Sequence, residues 1–201
     1  KNKNLLEINY INNSGRVIIY ESVLNNVKIS LKNLSPKNSE DFNNIFNITG
    51  CFTILDSTLQ NIIINASNFN CEDSVNIIRS KGSIKDLNVI NSNSDGVDMD
   101  FSSIIIDKLF IDNSLNDCAD FSFGNYRINN AKLQNCGDKG ISVGERSVFE
   151  IKKLDVKDSF SGLTSKDSSI SKIDEIRIKN VNNCIAAYKK KQEFGYSNIF
   201  I

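Results

Sequence analysis

The chain's 201 residues suffice for one domain with a sizeable core, and its 24 basic and 24 acidic residues leave no net charge and no basic block suited to nucleic acid. The absence of His excludes a Ser-His-Asp triad, a Cys-His pair and a His-ligated zinc site within the chain. No run of about 18 apolar residues is present, so no membrane span is expected.

Read in order, the chain alternates short apolar stretches, rich in Ile and Val, with turns rich in Asn. That mix favours strands over helices. Near the start, Asn12 and Asn33 punctuate two such stretches. Residues 34–50 break the rhythm, and Ser35-Pro36-Lys37-Asn38-Ser39 reads as a polar surface loop inserted there. From Val75 onward a repeat takes over. Val75, Val97, Ala119, Ile141, Leu163 and Ile185 follow one another at intervals of 22. Each opens an alternating triplet, such as Val75-Asn76-Ile77 and Val97-Asp98-Met99, which marks a strand with one buried face. Leu87, Leu109, Ala131, Leu154 and Ile176 recur at 22, 22, 23 and 22, and Ile84, Ile106, Ile128, Ile151 and Ile173 run beside them. A polar column, Asn91, Asn113, Asn135, Asp158 and Asn180, suits tight corners, because Asn tolerates left-handed backbone. The end, 197–201, reads as a further strand.

Strands this short cannot bury a face alone, but coils stacked about 4.8 Å apart can. The period therefore predicts an all-β, right-handed parallel β-helix with coils of about 22 residues, forming one domain over 1–201. Helical spacing and the leucine-rich consensus are both absent. The five cysteines have no zinc or redox spacing and are read as small buried or turn residues. Cys118 and Cys184 share a column but stand three coils apart, roughly 14 Å, too far for a disulfide. Because the chain opens on Lys1, a mature form or an excised domain of a longer protein is expected, with flanking sequence or another chain capping the ends.

Between the apolar columns, Asn76, Asp98, Asp120, Ser142 and Thr164 are expected to point outward, followed by Asp100 and Lys166, with Asp95, Asp117 and Lys139 in the preceding turns. Carboxylates stacked this closely repel, so a bound cation, nearby Lys or a raised carboxyl pKa is expected to offset the repulsion. Asp98, Asp100 and Asp120 are candidate calcium ligands, although no cofactor is required.

These strings resemble the pectate-lyase-like β-helix superfamily. Asn93-Ser94-Asp95, Asn116-Asp117, Lys139-Gly140 and Thr164-Ser165-Lys166 stand where the polygalacturonase group carries its N-T-D, D-D, G-H-G and R-I-K motifs. Asn116, Lys139 and Thr164 depart from that pattern and remove a carboxylate that the inverting mechanism needs. A second set of strings, among them 137–147, GDKGISVGERS, resembles the β-helix found beside spore-coat-protein-H-like kinase domains. The resemblance implies a module at the cell surface or outside the cell that binds, or cleaves as a lyase or degenerate hydrolase, an acidic polysaccharide. Asp95, Asp117, Lys139 and Lys166 would be its catalytic candidates, and Arg79, Asp98, Asp120, Glu145 and Tyr188 its substrate contacts. The alternative is an inert solenoid: a stalk, an adhesin segment, a virion spacer or a scaffold for another protein domain.

Overall fold

The computed structural model describes residues 4–11, 15–35 and 48–201. The strands, in chain order, are β1 (Asn4–Tyr10), β2 (Val17–Tyr20), β3 (Val23–Asn25), β4 (Val27–Asn33), β5 (Gly50–Leu55), β6 (Thr58–Phe69), β7 (Asp73–Ile78), β8 (Lys81–Ser92), β9 (Asp95–Asp100), β10 (Ser103–Ser114), β11 (Ala119–Ser122), β12 (Asn125–Gly144), β13 (Val148–Lys166), β14 (Ile170–Tyr188) and β15 (Asn198–Phe200). They form a parallel β-solenoid of about eight turns, with coils of about 22 residues and, among the described residues, no helix. Every pairing is parallel, and one path runs β1-β4-β6-β8-β10-β12-β11-β9-β7-β5-β2, passing from one face of the solenoid to the other through the long β12. Most of the loop expected at 34–50 lies outside the described residues.

The register reproduces the columns of the sequence. Val75 pairs with Val97, Val97 with Ala119, Ala119 with Ile141, Ile141 with Leu163, and Leu163 with Ile185. On the other sheet Leu87, Leu109, Ala131, Leu154 and Ile176 stack in turn. The inward members are buried, with Phe52, Phe69, Phe121 and Phe149 as the bulkiest. The single 23-residue step has its extra residue in the turn at 145–147, where Glu145 and Arg146 both have positive φ, 43° and 61°. The shift is taken back between Cys136 and Lys139.

Corners are held by ladders. Asn68, Asn91, Asn113, Asn135, Asp158 and Asn180 all adopt left-handed backbone. Asn91 donates to Asn68 at 2.8 Å and Asn113 to Asn91 at 2.9 Å, on the solvent side of the corner. Asn135 departs from this and donates to Asp112. A second ladder, of buried hydroxyls, fixes the turn after the first-sheet strands. The N–H groups of Ser22, Ser57 and Ser80 donate to the Oγ atoms of Ser57, Ser80 and Ser102 at 3.1, 3.0 and 3.0 Å. The next rung falls on Gly124, which has no hydroxyl. The Tyr126 phenol fills the space instead: a Cβ on Gly124 would lie 2.4 Å from it, and it accepts from the Ser102 N–H at 3.4 Å. Its own proton goes to the carbonyl of Met99 or of Ser122, at 2.7 and 2.8 Å.

The reading of all five cysteines as plain buried or turn residues is corrected. Cys51 bonds Cys71 and Cys118 bonds Cys136, at separations of 20 and 18 residues, so each tie closes a single coil. Cys118 is thereby bonded within its own coil and not to Cys184, which is exposed and free. One coil family uses the same tie with different atoms. Ser74 and Ser92 occupy the columns of Cys118 and Cys136, and their hydroxyls bond at 2.7 Å.

Ser74→Cys/Ser92→Cys is expected to form a third disulfide on air oxidation, raising stability by about 2–4 kcal/mol, as read by mass spectrometry and denaturant melts with and without reductant. Tyr126→Phe is expected to cost about 1–3 kcal/mol by leaving the buried Ser102 N–H without its acceptor, and the same melts check it.

Candidate acidic face of the first sheet

The first-sheet strands present one polar column between two buried apolar ones. Thr53, Asn76, Asp98, Asp120, Ser142 and Thr164 follow each other in register. All but Thr53 were expected to point outward, yet Asn76 and Ser142 are 0 % exposed and Thr164 is 2 % exposed. Much of the column is thus enclosed, a polar trough in the sheet face rather than an open surface.

One flank is a stapled corner. Asp95 Oδ1 accepts from Asn116 Nδ2 at 2.7 Å and from the Asp117 N–H at 2.9 Å. Asp117 Oδ1 accepts from the Lys139 N–H at 3.0 Å and from Lys139 Nζ at 3.2 Å. Lys139 Nζ also contacts Asp138. Asp95, Asp117 and Lys139, proposed catalytic groups by resemblance, therefore each hold the next coil in place. Burial pushes Asp95 up to about 7, with the neighbouring Asp117 charge adding to it. Burial works against the Lys139 charge, but the Asp138 and Asp117 carboxylates outweigh it and raise the ammonium to about 12.

At the trough's centre are Asp98 and Asp100 on β9, which share a hydrogen bond. Burial first, then the charges of Asp73, Asp100 and Asp120, push Asp98 up to about 10. Asp73 lies beneath, 2 % exposed, and burial pushes it up to about 7, with Asp95, Glu72 and Asp100 contributing. Asn76 donates to Asp98 Oδ2 at 3.2 Å. Lys166 is 6 % exposed and reaches back two coils, over Gly144, to bring its Nζ within 3.5 Å of Asp120 Oδ2. A Cβ on Gly144 would sit 3.0 Å from Lys166 Cε, so the glycine makes room for that reach. Asp98, Asp100 and Asp120 are thus neighbours, as the calcium expectation required, yet among the described residues no group of three acidic or thiol ligands converges as a metal site.

The other flank is a ridge of turn residues, all with positive φ. Arg79, expected as a substrate contact, is turned along this ridge and forms a two-pronged ion pair with Asp56, both bonds 2.8 Å. The next two positions are Phe101 and Phe123, at φ 51° and 52°. Bulky side chains rarely take left-handed backbone. Their rings stack with centroids 4.7 Å apart and planes 6° from parallel, and they remain 56 % and 40 % exposed. The segment 189–195 closes this flank lower down. Asp167 Oδ1 accepts from the Lys190 and Lys191 N–H groups at 2.7 and 2.8 Å. Lys191 pairs with Glu145 at 2.6 Å, Ser122 donates to the same carboxylate at 2.5 Å, and Phe194 lies edge-on to Phe123. Tyr188, partly exposed, pairs in register with Lys166 at the lower end. Tyr126, by contrast, is a core residue, 2 % exposed, and offers no surface for a sugar. Sequence reasoning missed the Phe ridge, although two Phe residues 22 apart, each immediately after an outward polar position, were there to be read.

Away from this trough, a cavity of about 350 Å³ lies on the other sheet among Lys108, Phe110, Lys132 and Lys153, with Asp86 and Asp155 offsetting part of the lysine charge.

No family model, no characterised protein and no solved structure matches the chain. Neither the pectate-lyase-like nor the spore-coat resemblance gains a relative from them.

The trough's carboxyls make a pH prediction. An Asp whose folded pKa is raised above its ordinary 3.8 keeps a proton that the unfolded chain has shed, so its contribution to stability is greatest at low pH and is lost as pH rises through the folded value. For Asp73 and Asp95 that loss begins above the ordinary 3.8 and is complete near pH 7, while Asp98 carries it on toward about 10. Thermal melts between about pH 5 and pH 8 should show the midpoint falling as pH rises. Asp98→Asn, which keeps a donor toward Asp100 without a titrating proton, should flatten the fall above pH 7.

Proposed function

We propose that the first-sheet face is a polysaccharide-binding surface, working outside the cell or at its surface. The observation that carries the reading is the stacked Phe101–Phe123 ridge beside the Asp98–Asp100 carboxyl pair. Exposed aromatic rings cover the apolar face of a sugar ring, and carboxyl groups one residue away bond its hydroxyls. Two bulky residues in left-handed backbone cost conformational energy that Asn or Gly would not, which favours a use for the rings beyond holding the turn. The two disulfides support an oxidising compartment.

The reading is one of binding and not of cleavage. Asp95 and Asp117 are committed to backbone N–H groups, so no catalytic step is placed on them. The lysines directed into the trough are also engaged, Lys139 by Asp117 and Asp138, Lys166 by Asp120 and Lys191 by Glu145. A uronate chain therefore gains little from them. The second reading, an inert spacer, draws on the same corner: Asp95, Asp117 and Lys139 are fully accounted for by holding coils together.

An oligosaccharide panel of neutral, acidic and amine-bearing chains, read by calorimetry, separates the two. Binding to at least one chain, weakened about tenfold or more in Phe101→Ala/Phe123→Ala with its fold verified by melting, is the expected result. Silence across the whole panel would leave the spacer in front.

A further inference from the structure

Resting on the polysaccharide reading, we infer that the chain bound in the trough carries positive charge: an amine-bearing glycan whose ammonium groups sit among Asp98, Asp100 and Asp120, above the buried Asp73 and Asn76.

The argument begins with which polar atoms lack partners. Asp73 Oδ2, Asn76 Oδ1 and Asp120 Oδ1 are enclosed and accept no hydrogen bond. Asp73 and Asn76 are 2 % and 0 % exposed. All three atoms are acceptors. Asn76 directs its amide N–H₂ to Asp98, Ser122 its hydroxyl to Glu145, and Lys166 its ammonium to the other oxygen of Asp120. The hydroxyls of Thr53 and Ser142, at either end of this group in the same column, also lack partners and reach none of the three acceptors. No donor is therefore directed at these acceptors, and buried acceptors without donors are costly.

Charge points the same way. Asp73, Asp95, Asp98, Asp100 and Asp120 act on one another electrostatically across three adjacent coils. A uronate would bring more acceptors and more negative charge. A neutral sugar would bring hydroxyl donors but leave the repulsion in place. A primary ammonium brings three donors and the missing charge at once. The Phe ridge lies alongside, where it meets a sugar ring and also favours a nearby cation over its ring faces. Its presence favours an amino sugar over a cationic peptide.

The carboxyl protons supply a direct readout. Asp98 keeps its proton at neutral pH, shared with Asp100. An ammonium seated there displaces that proton, so binding releases up to about one proton per site. Calorimetry at pH 7 in two buffers of different ionisation enthalpy measures this release.

The probes are a fully deacetylated glucosamine oligomer, its N-acetylated counterpart, oligogalacturonate, pentalysine and calcium chloride. The deacetylated oligomer is expected to bind about tenfold or more tightly than the acetylated one, with proton release. Asp98→Asn/Asp100→Asn should abolish both the preference and the release, while melting as well as the wild type. Equal affinity for the two glucosamine oligomers without proton release would overturn the charge assignment and leave the glycan surface standing. Tighter binding of oligogalacturonate would overturn it as well. Pentalysine matching the deacetylated oligomer would show that the sugar ring plays no part. Calcium binding more tightly and blocking the oligomer would assign the carboxylates to a metal. No binding by any oligosaccharide would remove the glycan reading together with this one.

Discussion

In-register parallel stacking is the constraint on which the rest depends. Each coil meets the next residue for residue, so a side chain's neighbour above and below is its own equivalent, about 4.8 Å away. For Ile and Val columns that is favourable, and Val75 through Ile185 exploit it. For carboxylates it is not. Asp73 opposite Asp95 and Asp98 opposite Asp120 follow directly from the register, and burial first, then neighbouring carboxylate charge, raises the proton affinities of Asp73, Asp95 and Asp98. The acidic trough is therefore produced by the same geometry that produces the core, and it persists only because protons and Lys166 relieve part of the repulsion.

The ladders answer a second demand of the same geometry. Parallel pairing leaves the backbone N–H groups at each corner without strand partners, and buried donors must be satisfied. The chain meets this with whichever side chain stands at the corner: a hydroxyl at Ser57, Ser80 and Ser102, a carboxylate at Asp95 and Asp117, while the Asn amides bond one another on the solvent side. This explains why polar residues repeat as regularly as apolar ones. A repeated polar residue in such a solenoid is first a corner device, and only the ones not used that way, such as Asp98, Asp100 and Asp120, are free for other work.

This distinction sets what was legible in the sequence. The apolar columns and the 22-residue coil could be read because each is a periodic pattern with one physical meaning. The position of the acidic face was also readable, since outward positions follow from alternation. The roles within it were not. Asp95 and Asp117 look the same in sequence as Asp98 and Asp120, yet the first pair bonds backbone and the second faces the trough. Arg79 shares a coil with Asn76 but is turned away by its left-handed backbone, onto Asp56. The disulfides escaped because stacking was taken to set all distances, whereas cysteines 18 and 20 residues apart lie almost one circuit apart and meet across a single coil.

The Gly124–Tyr126 rung ties the fates of two positions together. Restoring a serine at 124 places its side chain in the volume of the phenol, and shortening Tyr126 alone empties the rung. Each single change is harmful, and even the pair of changes leaves a Cβ at 124 only 2.4 Å from the Ser102 carbonyl, so the serine rung of the coil before does not return without a backbone shift. A serine form of this rung therefore needs the phenol to leave and the chain between 102 and 124 to move as well. Across this short stretch the coils of the solenoid are not interchangeable parts, and a corner cannot be copied from one to the next.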